Sequence, residues 1–228
     1  MMARPALGWH GKLPSLGDFA SRRLEAEFIE PWDRWISAGL LALREAQPQD
    51  WLPAYLGSPS WRFLLMPGVL PGAASRQAWA GVLMPSVDRV GRYFPLTLVQ
   101  ALGKGPTSSQ QMMELWFWLA RLDDLARDAL HEDWTAAQLD QELLQMALPD
   151  LAALHPAPPP LPPAPGAWVA AGGQASEHIG GLAQQLWAAQ CQGCAWWQAS
   201  PDEAAHRLWI SRGLPISLVP LFGATATM

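Results

Sequence analysis

The chain contains no asparagine, and only two lysines (Lys12 and Lys104), two tyrosines and two cysteines in 228 residues. With only Cys191 and Cys194 there is no disulfide framework of the kind that holds small secreted domains together. Charge is sparse as well, at 15% of residues against 50% hydrophobic. That balance excludes global disorder and leaves ample material for a packed core. No apolar run approaches the roughly 20 residues of a membrane-spanning helix, so membrane insertion is not expected. Arg4, Pro5 and His10 interrupt the apolar centre that a signal peptide would need, and the expected location is the cytoplasm.

Motifs of catalysis are missing too. There is no GxSxG elbow, P-loop, GxGxxG or HExxH, and the five histidines are scattered without metal-pair spacing. No metal or other cofactor is expected. Cys191-Gln192-Gly193-Cys194 is a CxxC, but the residues after it, Ala195 to Gln198, read as strand rather than as the helix N-terminus that activates a redox thiol. Two small, partly buried thiols are the plainer account.

What charge there is lies unevenly. Residues 1–105 carry 11 Lys and Arg against 8 Asp and Glu, whereas residues 106–228 carry 4 against 12. Glu114 to Asp150 alone holds 9 acids and 2 arginines. Such a surface repels nucleic-acid phosphates and anionic membranes and attracts a basic protein. Tryptophan is the compositional excess, with 14 copies. Trp serves both cores and interface anchors, and about ten of the 14 are assigned to the core on burial statistics.

The order of elements follows from periodicity. An extended segment over residues 7–12 leads into the loop Leu13 to Phe19. A helix is expected from about Glu25 to Ala46, with Phe28, Trp32, Trp35, Ile36, Leu40 and Leu43 on one face; Pro31 in a first turn would move its start to about Glu30. Trp51–Gly57 reads as a helical turn, and Ser60–Met66, Trp79–Met84 and Phe94–Leu102 as strands. Ser108 with Gln111, and Thr135 with Gln138, have the spacing of capping boxes opening two further helices, the first with Met112, Leu115, Trp116, Leu119, Leu122 and Leu125 as its apolar face. Residues 149–165 hold 8 prolines in 17 positions and read as an extended linker inside a single domain spanning 1–228. Beyond it come a strand at Trp168–Ala171, a helix at Ser176–Ala189, a hairpin of Ala195–Gln198 with Arg207–Ser211 around Ser200 to Glu203, and a last helical turn near Ile216–Phe222. The C-terminal strands are too few to stand alone and should join the N-terminal sheet. The expected class is α/β: a three-layer α/β/α sandwich around a central mixed, largely antiparallel sheet.

Between the second and third of the N-terminal strands sits Pro85-Ser86-Val87-Asp88-Arg89-Val90-Gly91-Arg92, a charged loop held by apolar flanks. Asp18 and Asp88 could pair for acid–base work, which requires them to converge on one substrate. The structural alternative is that each carboxylate accepts backbone N–H bonds or pairs with Arg89 or Arg92, because buried charges persist when paired.

Two blocks, Gly11 to Phe19 (GKLPSLGDF) and Gly81 to Pro95 (GVLMPSVDRVGRYFP), together with Glu30-Pro31-Trp32-Asp33 and Ser58 to Phe63 (SPSWRF), are similar to the type VI secretion-associated TagF family, also called ImpM. The likeness covers residues 8–102, weakens through the acidic helices, and resumes at Ala195-Trp196-Trp197 and Ser211 to Pro215. The resemblance implies a bacterial cytoplasmic accessory protein with an α/β sandwich fold and no known catalytic activity. It further implies post-translational repression of secretion-apparatus assembly through a scaffold protein with a forkhead-associated domain, separately from the kinase–phosphatase branch. The proline-rich linker and the CxxC have no counterpart in that pattern. Partner contact is expected from Lys12, Asp18, Phe19, Trp61, Ser86, Asp88, Arg89 and Arg92. Gly11, Pro14, Gly17, Pro85, Gly91 and Pro95 are expected to shape the turns. Two other classes stay open: an enzyme acting on a phosphorylated or carboxylated ligand through Asp18, Asp88 and Arg92, and a structural component of the secretion apparatus.

Overall fold

The computed structural model describes residues 7–106, 109–147, 168–171, 193–198 and 207–223. Eight strands form one sheet: β1 (Gly8–Gly11), β2 (Ala20–Arg22), β3 (Trp61–Leu65), β4 (Ala78–Met84), β5 (Leu96–Gly103), β6 (Trp168–Ala171), β7 (Gly193–Gln198) and β8 (Arg207–Arg212). Their spatial order is β2-β1-β5-β4-β3-β7-β8-β6. All seven ladders between these strands are antiparallel, so the largely antiparallel sheet expected from the sequence is wholly so among the described strands. The C-terminal strands do join the N-terminal sheet: β7 pairs with β3, with Phe63 opposite Trp196.

Helices α1 (Ala26–Ala46) and α2 (Trp51–Leu56) cover one face, and α3 (Ser109–His131) and α4 (Ala136–Gln145) the other. The period-two alternation of the strands feeds both layers at once. Trp61, Phe63 and Leu65 of β3 pack with Phe28, Trp32, Ile36 and Leu43 of α1, whereas Leu64 and Met66 pack with Leu115, Leu119 and Leu122 of α3. A sheet covered on both faces has apolar residues at successive positions, which is why β3 and β4 are buried along their whole length. A short last helix, α5 (Val219–Phe222), closes the α1 face with Leu218, Leu221 and Phe222.

Tryptophan supplies much of this packing. Trp32 lies 4.8 Å from Trp35, 5.1 Å from Phe63 and 6.1 Å from Trp196, ring centre to ring centre. Seven tryptophans are buried and five half-buried; the side chains of Trp168 and Trp187 lie outside the described set. No described tryptophan is exposed.

Some boundaries differ from expectation for identifiable reasons. Helix α1 begins at Ala26, so Pro31 lies beyond its first turn and removes the N–H that would bond the Glu27 carbonyl; tertiary burial of Phe28 and Trp32 holds the turn together regardless. Strand β2 was not anticipated. The Thr135–Gln138 capping box forms in both directions, with Gln138 N–H donating to Thr135 Oγ1 at 3.2 Å and Thr135 N–H donating to Gln138 Oε1 at 2.9 Å. Ser108, the linker at 149–165, the helix expected at Ser176–Ala189, the turn at Ser200 to Glu203, and Cys191 lie outside the described residues. Among the described residues no helix is long and apolar enough to cross a membrane.

Candidate partner-binding site

Strand direction brings the two charged loops together. Strands β1 and β4 are each antiparallel to β5, so both run the same way and the loops that follow them leave the sheet at the same edge. At the join, Gly11 has φ +135°, and a Cβ there would sit 2.2 Å from the Pro95 carbonyl oxygen. Only glycine lets the β1 exit pass this close to the β5 entry. Pro14 and Ser15 make the turn of the first loop, whose Ser15 hydroxyl donates to the Trp134 carbonyl at 2.7 Å. Pro85 opens the second loop and Pro95 closes it.

Asp88 is the centre of the cluster. Its Oδ1 accepts the N–H groups of Val90 and Arg92 at 3.0 and 2.9 Å, folding residues 88–92 into a side-chain-capped turn. Gly91, at φ +82°, completes that turn. Asp88 Oδ2 accepts from Lys12 Nζ at 2.5 Å and from Arg92 Nε at 2.7 Å. Both the Lys12 and Asp88 side chains are buried. Burial raises the Asp88 pKa, but the bonds from Lys12 first, then from Arg92 and Val90, outweigh it and hold the carboxyl well below the usual carboxylate range.

The remaining bonds tie the loops to each other and to α2. Ser86 Oγ donates to the Lys12 carbonyl at 2.7 Å. Ser86 N–H donates to the Tyr55 hydroxyl at 2.9 Å, and that hydroxyl donates to the Ser86 carbonyl at 3.0 Å; burial pushes the Tyr55 phenol up, so it remains a donor. Arg89 N–H donates to the Leu16 carbonyl at 2.8 Å. Arg92 Nη2 donates to the Gly17 carbonyl and approaches Asp18 Oδ1 at 3.6 Å. Phe19 leans on this frame: Lys12 Nζ lies 4.5 Å from its ring centre, Phe94 meets it edge-on at 4.8 Å, and His10 stacks on it at 5.8 Å. His10 Nε2 in turn lies 2.7 Å from Asp33 Oδ1 on α1.

The predicted residues therefore divide. Lys12, Ser86 and Asp88 are buried and brace the loops; Asp18, Phe19, Arg89 and Arg92 stand at the surface above them. Trp61 belongs to neither group. It is 2% exposed in the α1-side core, with its indole N–H donating to the Leu221 carbonyl at 2.8 Å, so it presents no surface for a partner. Its spacing with Phe63 and Leu65 puts all three on one face of β3, but only the fold shows that this face is covered. Four residues that the sequence did not single out complete the site: His10, Tyr55 and Phe94, which support it, and Val90, which is 63% exposed at the loop tip. An apolar residue at the tip of a charged loop was the available sign for Val90.

The two carboxylates weighed for acid–base chemistry are both engaged within the loop pair. Asp88 has both oxygens doubly engaged, and Asp18 Oδ1 accepts the Phe19 N–H at 2.8 Å and lies 3.6 Å from Arg92 Nη2. Among the described residues no group of three His, Cys, Asp or Glu side chains is arranged to hold a metal ion.

Comparison with known proteins agrees with this architecture. Residues 8–146 match the family model of the TagF N-terminal domain, type VI secretion system-associated. The chain belongs to that family. It is similar in structure to PA0076 from Pseudomonas aeruginosa PAO1, with 30% sequence identity and a TM-score of 0.69 over 98% of this chain and 97% of that one. No curated protein matches the chain. The protein is thus a type VI secretion-associated accessory protein built on an open α/β sandwich.

Proposed function

We propose that this protein is a non-enzymatic, cytoplasmic repressor of type VI secretion that acts after translation by binding a forkhead-associated-domain scaffold. The observation that carries the reading is the pairing of a rigid base with an exposed apolar tip. Phe19, 46% exposed, and Val90 sit beside Arg89 and Arg92 on loops fixed by a buried ion pair. Such a surface is pre-organised, so little ordering entropy is lost on association. Exposed aromatic and arginine side chains are also the residue types that dominate binding energy at interfaces. An enzyme working through Asp18, Asp88 and Arg92 is less well supported, because Asp88 already accepts four bonds and would have to give up part of that network to exchange a proton with a ligand.

The test is co-elution of the purified protein with its scaffold at low and high salt, without the kinase. Stable co-elution that salt weakens supports direct, phosphorylation-independent binding through the charged loops. Absence of co-elution overturns the reading. Stoichiometric retention in the purified apparatus would replace repression with a structural role.

A further inference from the structure

Arg89 is the cation of the loop pair that the fold leaves without a counter-charge. Lys12 and Arg92 close on Asp88, and Arg92 also approaches Asp18. The Arg89 guanidinium makes no ion pair or hydrogen bond among the described residues, and its backbone N–H alone is engaged, on the Leu16 carbonyl. Its Nη2 lies 3.5 Å from the position a Cβ on Gly17 would take, so the guanidinium lies beside Gly17. The carbonyl of that same glycine is capped by Arg92 Nη2. Two guanidiniums therefore lie beside one residue, and the exposed Phe19 and Val90 are the near neighbours of Gly17 and Arg89 in sequence.

We infer that this face takes an acidic segment of a protein partner, with a carboxylate accepting from Arg89 and Arg92 and apolar side chains covering Phe19 and Val90. This rests on the reading that the loop pair faces the scaffold, and it names the chemistry that the surface selects. An interface that buries Phe19 and Val90 withdraws Arg89 from water as well. A desolvated guanidinium is tolerated when it is paired; in the loop pair Asp88 is fully engaged, and the other carboxylate, Asp18, already faces Arg92 at 3.6 Å. The three cations Lys12, Arg89 and Arg92 face only Asp18 and Asp88 in the two loops, so the complement must come from the partner. Arginine's planar fork suits a carboxylate taken in two parallel bonds, which lysine cannot reproduce. A neutral or basic segment would leave Arg89 stranded and is rejected. The other acidic surface within reach is the chain's own: Glu114 to Asp150, with 9 acids and 2 arginines, on a second copy.

The experiment measures scaffold affinity by calorimetry for wild type, Arg89→Glu, Arg89→Lys and Phe19→Ser/Val90→Ser, with melting curves for each. The expected result is that Arg89→Glu binds at least about 100-fold more weakly and Arg89→Lys recovers only part of that, since losing one partner of a desolvated charge pair is costly. Both variants should melt like wild type, and the affinity of Arg89→Glu should respond less to salt. Wild-type affinity in Arg89→Glu overturns the inference while leaving scaffold binding intact. If wild type itself does not bind the scaffold, the scaffold reading fails, and a photo-crosslinking amino acid at position 90 in host cells decides the inference separately. Crosslinks mapped to an acidic segment of another protein, and lost with Arg89→Glu, sustain it. Crosslinks to a neutral or basic segment, to residues 114–150 of a second copy, or to nothing overturn it.

Discussion

Lys12 and Asp88 reach each other from loops 76 positions apart and close to 2.5 Å, both with buried side chains. This pair, rather than a free carboxylate, is what the charged loops contain at their centre. Its consequence is a defined pH dependence. The folded-state pKa of Asp88 is depressed below the value of about 3.9 expected in the unfolded chain. Its stabilisation is therefore fully present above about pH 4 and is lost as pH falls through the folded value. Asp88→Asn should melt well below wild type at neutral pH, and the gap should narrow as both are acidified below about pH 4. Thermal melts across that range check this, and a gap that stays constant with pH refutes it.

A second buried pair joins the layers. Arg62 on β3 donates to Asp123 Oδ2 on α3 through Nε at 3.1 Å and Nη2 at 3.0 Å, while its guanidinium lies 5.5 Å from the Trp116 ring centre. Removing the acid leaves a buried cation, a change that costs about 3–5 kcal/mol in comparable cases. Asp123→Ala should lose about that much in urea unfolding, whereas Arg62→Met/Asp123→Leu should recover most of it, because neither variant side chain then needs a partner. A double variant no more stable than the single one would mean that the stability comes from packing of the long side chains.

Much of the sandwich is legible in the sequence because local patterns write it. The hairpin of β4 and β5 shows as two apolar runs around a polar loop, and the Thr135–Gln138 box announces α4. Strand β2 does not show, since Ala20, Ser21 and Arg22 have no strand pattern and are extended only because β1 pairs with them. Within the candidate site the sequence marked the two charged loops, but not which of their side chains are buried against each other. Whether Asp88 meets a partner or Lys12 depends on how β1 and β4 align through β5, and that alignment is a property of the sheet rather than of either loop. Trp61 was misplaced for a related reason: both faces of β3 are covered, so its alternation has no polar side to mark the core.

Cys194 should behave as an inert thiol. Burial pushes its pKa up to about 11, against weaker opposing bonds from Ser211 and Trp196. Peptide-resolved alkylation near pH 8 should modify Cys194 in the native protein at least about 100-fold more slowly than in denaturant, since the thiolate is the reactive form. Rapid native labelling would revive a redox role for this cysteine.

Phe19 and Trp61 separate surface from core among the aromatics proposed as anchors. Trp61→Ala removes a fully buried ring that packs with the α1-side core and donates to Leu221, and such truncations cost about 3–5 kcal/mol. Phe19→Ala removes a half-exposed ring resting on His10 and Phe94, and its cost should be nearer 1 kcal/mol, the scale of a single aromatic contact. Binding should invert the order: Phe19→Ala should weaken scaffold association while folded protein persists, and Trp61→Ala should lower the folded fraction without changing the affinity of what remains folded. The two are separated by titrating the scaffold against each variant after correcting for folded protein by circular dichroism. If Phe19→Ala unfolds the chain as severely as Trp61→Ala, the ring is part of the brace and the contact surface must be sought elsewhere.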